Sequence, residues 1–230
     1  MLKNGVRSQN PRTIAFVSGT GRNGPSLAVR WTLAGNKVII GSRKIQKARR
    51  VASELQKTLR GLGCMNNVGF GLNEDIVSES DTVILTIPYG GLVSTLEKIE
   101  NKIKAETIVI SPIVPIVFRE GEAKLVHVHK DSVAETIANA LPKVKVVAAL
   151  HTVSAERLAN YSKPVKGDVI VCSDDFEAKK IVMILVEEIP NLRAVDGGRL
   201  ENAHIIEEFP ALLIRIGHLS GKASLGIKLI

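Results

Sequence analysis

The sequence predicts an α/β protein with a Rossmann-type, doubly wound parallel sheet and a smaller C-terminal α/β unit on the substrate side. Short apolar runs of strand length alternate with longer segments of helical periodicity, which is the pattern of consecutive βαβ units. The first run, Thr13–Val17, leads into a glycine-rich turn and then a helix. We therefore expect a flexible basic tail over residues 1–12, a dinucleotide-binding Rossmann domain over 13–150 and a C-terminal unit over 151–230.

The strands of the first domain are predicted from apolar, β-branched runs that end near glycine or proline. They cover residues 13–17, 37–40, 68–72, 82–87, 107–111 and 145–149. Helical periodicity predicts the intervening helices over 25–34, 44–62, 73–79, 92–101 and 132–140. Because crossovers of this length join parallel strands, we expect a sheet of five or six parallel strands.

The same patterns predict two strands and three helices in the C-terminal unit. The strands cover 168–172 and 192–195, and the helices cover 176–189, 201–208 and 210–219. The apolar tail that follows, 225–230, is expected to fold onto the core or to pack against a second subunit.

The turn after the first strand has the spacing of a dinucleotide-binding motif. It reads Gly19-Thr20-Gly21-Arg22-Asn23-Gly24, a G-x-G-x-x-G pattern whose backbone N–H groups can reach a pyrophosphate at the start of the next helix. The motif alone is equally compatible with a structural turn. Strand, turn, helix, second strand and basic tip follow one another as a βαβ unit requires, and this order favours a bound dinucleotide.

The tip of the second strand indicates which dinucleotide binds. An NAD site usually carries Asp or Glu there to accept the ribose 2′-hydroxyl, whereas this chain has Ser42, Arg43 and, one helical turn later, Lys47. Cationic groups and a hydroxyl suit a 2′-phosphate, so NADP(H) is predicted. The alternative is that Arg43 and Lys47 belong to a solvated basic helix start.

The positive charge of the chain favours small anionic ligands over nucleic acid. The net charge is +8, yet aromatic residues make up 3% of the sequence, too few for a platform on which bases stack. The basic residues are also spread over several helices instead of forming one arm. We therefore expect no nucleic-acid partner.

Targeting and cysteine content predict a cytoplasmic protein. No apolar stretch is long enough to cross a bilayer, and no export signal is visible, so no membrane association is expected. Cys64 and Cys172 are far apart and lack metal-ligand spacing, which indicates a reducing compartment and no metal site.

Three loops at strand ends are predicted to frame one crevice. In open α/β sheets, ligands bind beyond the carboxyl ends of the strands. The loops here contain Ile87-Pro88-Tyr89, Pro112-Ile113 and His151-Thr152. They should converge on the reactive end of the dinucleotide.

The chain resembles the archaeal and actinobacterial NADPH-dependent reductases of the deazaflavin coenzyme F420, from Thr13 to Ile230. The motifs that carry the resemblance are Gly19-Thr20-Gly21, Gly41-Ser42-Arg43 with Lys47, Leu85-Thr86-Ile87-Pro88, Ser111-Pro112-Ile113-Val114-Pro115, Ala149-Leu150-His151-Thr152 and Leu225-Gly226-Ile227-Lys228. The resemblance implies that Thr20, Gly21, Arg22 and Asn23 hold the pyrophosphate and that Ser42, Arg43 and Lys47 hold the 2′-phosphate. It further implies that Ile87, Ile113 and Ala155 line the nicotinamide side, and that His151 and Leu225 border the deazaflavin of coenzyme F420.

The activity that this resemblance implies is reversible hydride transfer between nicotinamide C4 of NADP(H) and C5 of the deazaflavin, by a homodimer with two small-molecule redox cofactors. Positioning would be its main catalytic task. His151 is the titratable group expected near the rings, either as a hydrogen-bond or proton donor or as a residue that only orients its loop. The alternatives are an NADPH-dependent reductase of a flavin or another small acceptor, and a non-enzymatic NADP(H)-binding regulatory protein.

Three positions depart from the family pattern. Tyr89 stands where the family more often has Trp, and Glu208 and Pro210 stand where it has Ser and Thr. A carboxylate at position 208 beside an anionic deazaflavin would be repulsive unless a cation pairs with it, so these residues favour the alternative acceptor. The other interpretation is that Glu207 and Glu208 are exposed helix residues.

Overall fold

A computed structural model describes residues 8–119, 122–126, 131–222 and 224–230. Within these ranges the chain forms ten strands and eight α-helices. The strands are β1 (Thr13–Val17), β2 (Lys37–Ser42), β3 (Val68–Leu72), β4 (Thr82–Leu85), β5 (Ile108–Ser111), β6 (Ile116–Arg119), β7 (Glu122–Leu125), β8 (Lys145–Ala148), β9 (Gly167–Val171) and β10 (Leu192–Asp196). The helices are α1 (Asn23–Leu33), α2 (Ile45–Gly61), α3 (Asn73–Ile76), α4 (Leu92–Ile99), α5 (Val133–Ala140), α6 (Ala155–Ala159), α7 (Phe176–Glu187) and α8 (Ala203–Ser220).

The central sheet has six parallel strands in the order β3-β2-β1-β4-β5-β8. This order is the doubly wound arrangement of a Rossmann fold, so the predicted fold class is confirmed. Val17 lies opposite Leu85, and Ser111 lies opposite Ala148. The loops that follow β1, β4, β5 and β8 therefore leave the sheet at one edge.

A two-stranded antiparallel hairpin, β6–β7, was not predicted. It follows β5 and pairs Ile116 with Leu125 and Val117 with Lys124. The run of Ile116, Val117 and Phe118 has high β-propensity and could have indicated it. A two-stranded hairpin is stable only when it packs against other elements, and a local sequence pattern does not predict such packing.

Helix α8 is continuous, so the prediction of two helices separated before Pro210 is wrong. Proline removes one backbone hydrogen bond and usually interrupts a helix. Here the buried residues Ala203, Ile206, Glu207, Pro210 and Ala211 form one stripe at helical spacing across that point. Packing of this stripe on the protein core holds the two halves in line.

The elements that follow β8 pack directly on the central sheet and its helices. Strands β9 and β10 form a parallel pair, and an antiparallel bridge between Ala148 and Cys172 joins β9 to the end of β8. Asp168 fixes the C-terminal tail, because its N–H donates to the Ile227 carbonyl and its carboxylate accepts the Leu229 N–H. The backbone of the tail is thus attached to the chain's own body, while the side chains of Leu229 and Ile230 at its end are exposed.

Helix α1 connects the two parts. The indole of Trp31 packs against Phe16 and donates to the Leu185 carbonyl of α7 at 2.8 Å. The neighbouring Arg30 is buried. Its guanidinium donates to the backbone carbonyls of Leu158, near the end of α6, and of Asn160 and Lys163, which follow that helix. These bonds fix the C-terminal unit against the helix that follows the glycine-rich turn.

The end of the predicted tail is attached to the body. Ser8 donates its N–H to the Ala34 carbonyl, and the Arg12 side chain bonds Thr82 and pairs with Asp81 at 2.9 Å. Residues 1–7 of that predicted tail lie outside the described residues. In the part of the chain that is described, no helix is long and apolar enough to cross a membrane.

Glu207 is buried, which corrects the interpretation of Glu207 as an exposed helix residue. Its carboxylate accepts the N–H groups of Val133 at 2.7 Å and Ala134 at 2.9 Å, so it caps the first turn of α5 from another helix. Burial raises the pKa of Glu207 to about 7, against the effect of these two hydrogen bonds.

We predict that Glu207 makes the protein less stable as the pH rises from 4.5 to about 7. In this window the unfolded chain loses the Glu207 proton while the folded chain keeps it, so the free energy of unfolding falls by roughly 3 kcal/mol. Urea unfolding of wild type and Glu207→Gln at several pH values isolates this contribution. A difference between the two proteins that does not change with pH would show that Glu207 is ionised in the folded state throughout.

Candidate active site

Two glycines in the glycine-rich turn lie too close to neighbouring residues to carry a side chain. A Cβ on Gly24 would lie 2.5 Å from the Gly19 carbonyl oxygen, and one on Gly19 would lie 2.6 Å from the Phe16 Cβ. Neither position tolerates a side chain without movement of backbone. The first turn of α1 is thereby held against the end of β1.

Asn73 supports this turn and was missed by sequence reasoning. Ser18 has a positive φ of 57°, and its N–H donates to the Asn73 side-chain oxygen at 2.9 Å. The Asn73 amide also donates to the Ser18 hydroxyl. A buried asparagine directly after a strand is a weak signal, and nothing in the sequence connects it with Ser18, 55 residues earlier.

The turn leaves room and donors for an anion. Around Gly21 an added Cβ would meet no atom within 4 Å, so this face of the turn is open. Arg22 is the N-cap of α1, and no side chain caps the amides of that helix's first turn. Thr20 is partly exposed and Asn23 exposed beside them. Free amides at a helix start and an open approach fit a pyrophosphate.

The tip of β2 lies next to this turn, because β1 and β2 are neighbours in the sheet. Ser42 is buried, and its hydroxyl accepts the Lys44 N–H. The side chains of Arg43 and Lys47 are exposed and make no hydrogen bond or ion pair within the described part of the chain. They are therefore free to bind an anion.

A cavity of about 330 Å³ opens beside the glycine-rich turn. Five residues predicted from the sequence lie in its wall: Arg22, Asn23, His151, Ala155 and Leu225. Helix α8 supplies another part of the wall through Pro210, Leu213 and Ile214. The cavity thus joins the start of α1, the loop after β8 and the C-terminal tail.

His151 carries the clearest sign of a missing ligand. Both ring nitrogens are buried and have no hydrogen-bond partner among the residues that the structure describes, although the residue as a whole is partly exposed. Burial lowers the pKa of His151 to about 3, so the ring is neutral at physiological pH. A neutral imidazole offers one N–H donor and one acceptor, which a polar ligand in the cavity could satisfy.

The residues predicted after β4 and β5 lie at the same sheet edge but do not line this cavity. Ile87 and Ile113 are buried in the core that also contains Val17 and Leu85. Tyr89 is partly buried against that core and begins a short 3-10 turn, and Pro88 is exposed beside it.

Glu208 lies outside the cavity, whereas Pro210 is part of its wall. Glu208 borders a different groove, of about 810 Å³, between α8 and β7, together with Arg215. The anticipated repulsion between a carboxylate at position 208 and a ligand beside His151 is therefore not supported.

Glu156 is a cavity residue that sequence reasoning missed. Its carboxylate accepts a hydrogen bond from Ser224 and lies 3.9 Å from the Arg22 guanidinium. It thereby connects the glycine-rich turn with the C-terminal tail. No sequence signal indicates this role, since all three residues are distant in the chain.

The arrangement fits two ligands that meet at the cavity. The open glycine-rich turn with a basic strand tip fits a phosphorylated dinucleotide, and the unpaired His151 nitrogens fit a polar ring beside it. Among the described residues, no group of three or more His, Cys, Asp or Glu is placed to hold a metal ion.

Comparisons with known proteins identify the family of this chain. The family described as NADP oxidoreductase, coenzyme F420-dependent, matches residues 13–115. The F420-dependent NADP reductase of Methanocaldococcus jannaschii is 37% identical over 94% of this chain and 97% of its own length. That of Methanothermobacter thermautotrophicus is 34% identical over 94% of each chain.

Solved structures show the same fold. A structure from Arthrobacter sp. FB24, assigned as an F420-dependent NADP reductase, has a TM-score of 0.80 at 24% identity and covers 95% of this chain and 99% of that one. At this identity the similarity concerns the fold alone. The identities to the archaeal enzymes extend over nearly the whole chain, and this protein therefore belongs to the family of F420-dependent NADP reductases.

Proposed function

We propose that the protein is an NADPH:F420 oxidoreductase that transfers a hydride reversibly between NADP(H) and coenzyme F420. The observation that carries the proposal is the shared cavity: Arg22 and Asn23 at the start of α1 lie in one wall with His151 and Leu225. A dinucleotide held at the turn would place its reactive end at this cavity.

When bound, NADP(H) and coenzyme F420 would supply a hydride exchange between nicotinamide C4 and deazaflavin C5, for which no protein nucleophile would be needed. The chain's own residues position the two rings. The first amides of α1, with Thr20, Gly21, Arg22 and Asn23, bind the pyrophosphate, while Ser42, Arg43 and Lys47 bind the 2′-phosphate. Ala155, Pro210, Leu213 and Leu225 exclude water from the reacting rings, with Ile87, Pro88, Tyr89 and Ile113 behind the nicotinamide.

His151 acts as a hydrogen-bonding group in this proposal. Because its ring is neutral in the free protein, it has no extra proton to give near neutral pH. It can still donate one N–H to a ring oxygen or nitrogen on which negative charge grows during reduction. Of the two roles expected from the sequence, we propose the ligand contact, because neither nitrogen makes a loop-orienting bond to the described residues.

The test mixes purified protein with NADPH and oxidised coenzyme F420 and follows the loss of deazaflavin absorbance. NADH in place of NADPH, and riboflavin phosphate in place of F420, are the parallel controls. Rapid loss with NADPH and F420 together supports the proposal. Reduction of the flavin but not of F420 would replace it with the alternative acceptor, and NADPH binding without any reduction would favour a regulatory protein.

We also propose a homodimer, supported by an exposed apolar stripe on α8. Ile205, Leu212, Ile216 and Leu219 recur at spacings of seven, four and three residues, and Leu219 is 89% exposed. The opposite side of the helix contributes Leu213 and Ile214 to the cavity. A second subunit on the stripe would hold this wall in place.

A cytoplasmic location stays a prediction from the cysteine content.

For the 2′-phosphate, we predict that Arg43→Ser raises the KM for NADPH by roughly 10- to 100-fold and leaves the KM for NADH nearly unchanged, because one charge-assisted contact is lost. Steady-state kinetics with both nucleotides measure the effect. Arg50→Ser is the matched control, since Arg50 is exposed on α2, which begins two residues after Arg43, and lies near Glu54. Equal losses with NADPH and NADH would contradict the assignment of Arg43.

For His151, we predict that His151→Leu weakens F420 binding while leaving the free protein at least as stable as wild type. The variant removes two buried nitrogens that have no partner among the described residues, so folding loses no hydrogen bond.

The wild type should lose stability relative to the His151→Leu variant as the pH falls from 6.5 towards 3, because protons then bind the unfolded chain preferentially. Titration with F420 and urea unfolding at pH 7 and 5 measure both effects. Unchanged F420 affinity would remove His151 from the site.

For the dimer, we predict that Leu212→Glu produces a monomer in size-exclusion chromatography with light scattering. Val93→Glu introduces the same charge at an exposed position of α4 and should leave the molecular mass of the assembly unchanged. A monomeric wild type, or a dimer that persists in Leu212→Glu, would overturn the proposed interface.

A further inference from the structure

One helix and the residues just before it carry a marked excess of basic over acidic side chains. The segment 43–61, which contains α2, has seven basic residues and one acidic residue, in a chain whose net charge is +8. Arg43 and Lys47, at its start, are assigned to the 2′-phosphate, and Arg50 lies near Glu54. The proposed function gives no role to the basic residues farther along the helix.

Three of these residues line one groove. Arg49, Lys57 and Arg60 lie on the same side of α2, and with Gln56 and Phe70 they border a groove of about 280 Å³ against β3. All three cations are exposed, and none forms an ion pair with any residue in the described ranges. The groove is therefore strongly cationic.

Strand β3 is the edge of the central sheet, with β2 as its sole neighbour in the strand order. Its first residue, Val68, donates its N–H outward to the Gln56 side-chain oxygen at 3.1 Å, and the Gln56 amide donates to the Asn66 carbonyl at 2.9 Å. Gln56 thus occupies the place that a neighbouring strand would take. Because backbone direction alternates along a strand, the N–H of Phe70 faces the same open edge.

We propose that this groove, with Arg49, Lys57 and Arg60 on one side and the β3 edge on the other, binds an acidic extended segment of a partner protein. Such a segment would pair with the backbone of Phe70 and add a strand to the sheet. Alternate side chains of the added strand would point towards α2, where carboxylates meet the three cations. This site is separate from the cofactor cavity, and the inference does not depend on the proposed function.

The groove fits an acidic peptide better than nucleic acid. Phe70 is the one aromatic residue in its wall, and the Arg49 guanidinium lies over that ring at 5.3 Å from its centroid. One face of the single ring is therefore occupied by a guanidinium, and a lone aromatic residue does not form a platform on which successive bases stack. The open strand edge, in contrast, offers backbone donors and acceptors suited to another polypeptide.

The test measures binding of a fluorescein-labelled seven-residue peptide of alternating glutamate and valine by fluorescence anisotropy. We expect saturable binding that is lost when glutamine replaces glutamate in the peptide. Reversing the charges in Arg49→Glu/Lys57→Glu/Arg60→Glu should weaken it by at least about tenfold. The matched control is Lys98→Glu/Lys102→Glu/Lys104→Glu, which changes the net charge equally at exposed positions elsewhere and should bind as wild type does.

A second pair of variants tests the strand pairing. Phe70→Pro removes the outward N–H, which an edge strand tolerates, whereas Phe70→Val keeps it. We expect Phe70→Pro to bind the peptide at least about fivefold more weakly than Phe70→Val, with thermal unfolding confirming that both are folded. Equal loss in the two triple variants, absence of peptide binding by wild type, or tighter binding of a single-stranded oligonucleotide would overturn the proposal.

Discussion

The buried guanidinium of Arg30 is the interaction on which the arrangement of this molecule depends. A buried charge is costly unless its donors are satisfied, and here three carbonyls after the start of α6 accept them. Desolvation lowers the pKa of Arg30, yet an arginine keeps its charge. Helix α1 begins at the glycine-rich turn, and helix α6 begins at Ala155 in the cavity wall. Because Arg30 ties α1 to α6, it sets the distance between these two sides of the cavity.

This constraint explains how a site without a protein nucleophile can promote hydride transfer. The reaction needs two flat rings at a fixed separation in a dry environment, and rigid backbone supplies that more reliably than a mobile side chain. The turn is fixed from behind by Asn73, and the tail that carries Leu225 is fixed by Asp168. His151 lies in the cavity wall with two buried ring nitrogens that have no partner among the described residues, which is costly in the free protein.

The parts of the site that the sequence predicted are those encoded by short segments. The glycine spacing at Gly19 and the basic tip at Arg43 reflect local backbone and charge, and the strand order follows from alternating patterns. The missed features depend on contacts between distant residues. Asn73 meets Ser18, Glu207 caps α5 and Glu156 meets Ser224 only in the folded chain. Pro210 was misjudged for the same reason, because packing on the core outweighs its local effect on the helix.

The measurement that tests the central claim most directly follows the label from NADPH deuterated at nicotinamide C4. If the protein places C4 directly against deazaflavin C5, deuterium from one face of the nicotinamide should appear at C5 of reduced F420, with none in the solvent. Label found in water, or drawn equally from both faces, would contradict direct transfer between two positioned rings.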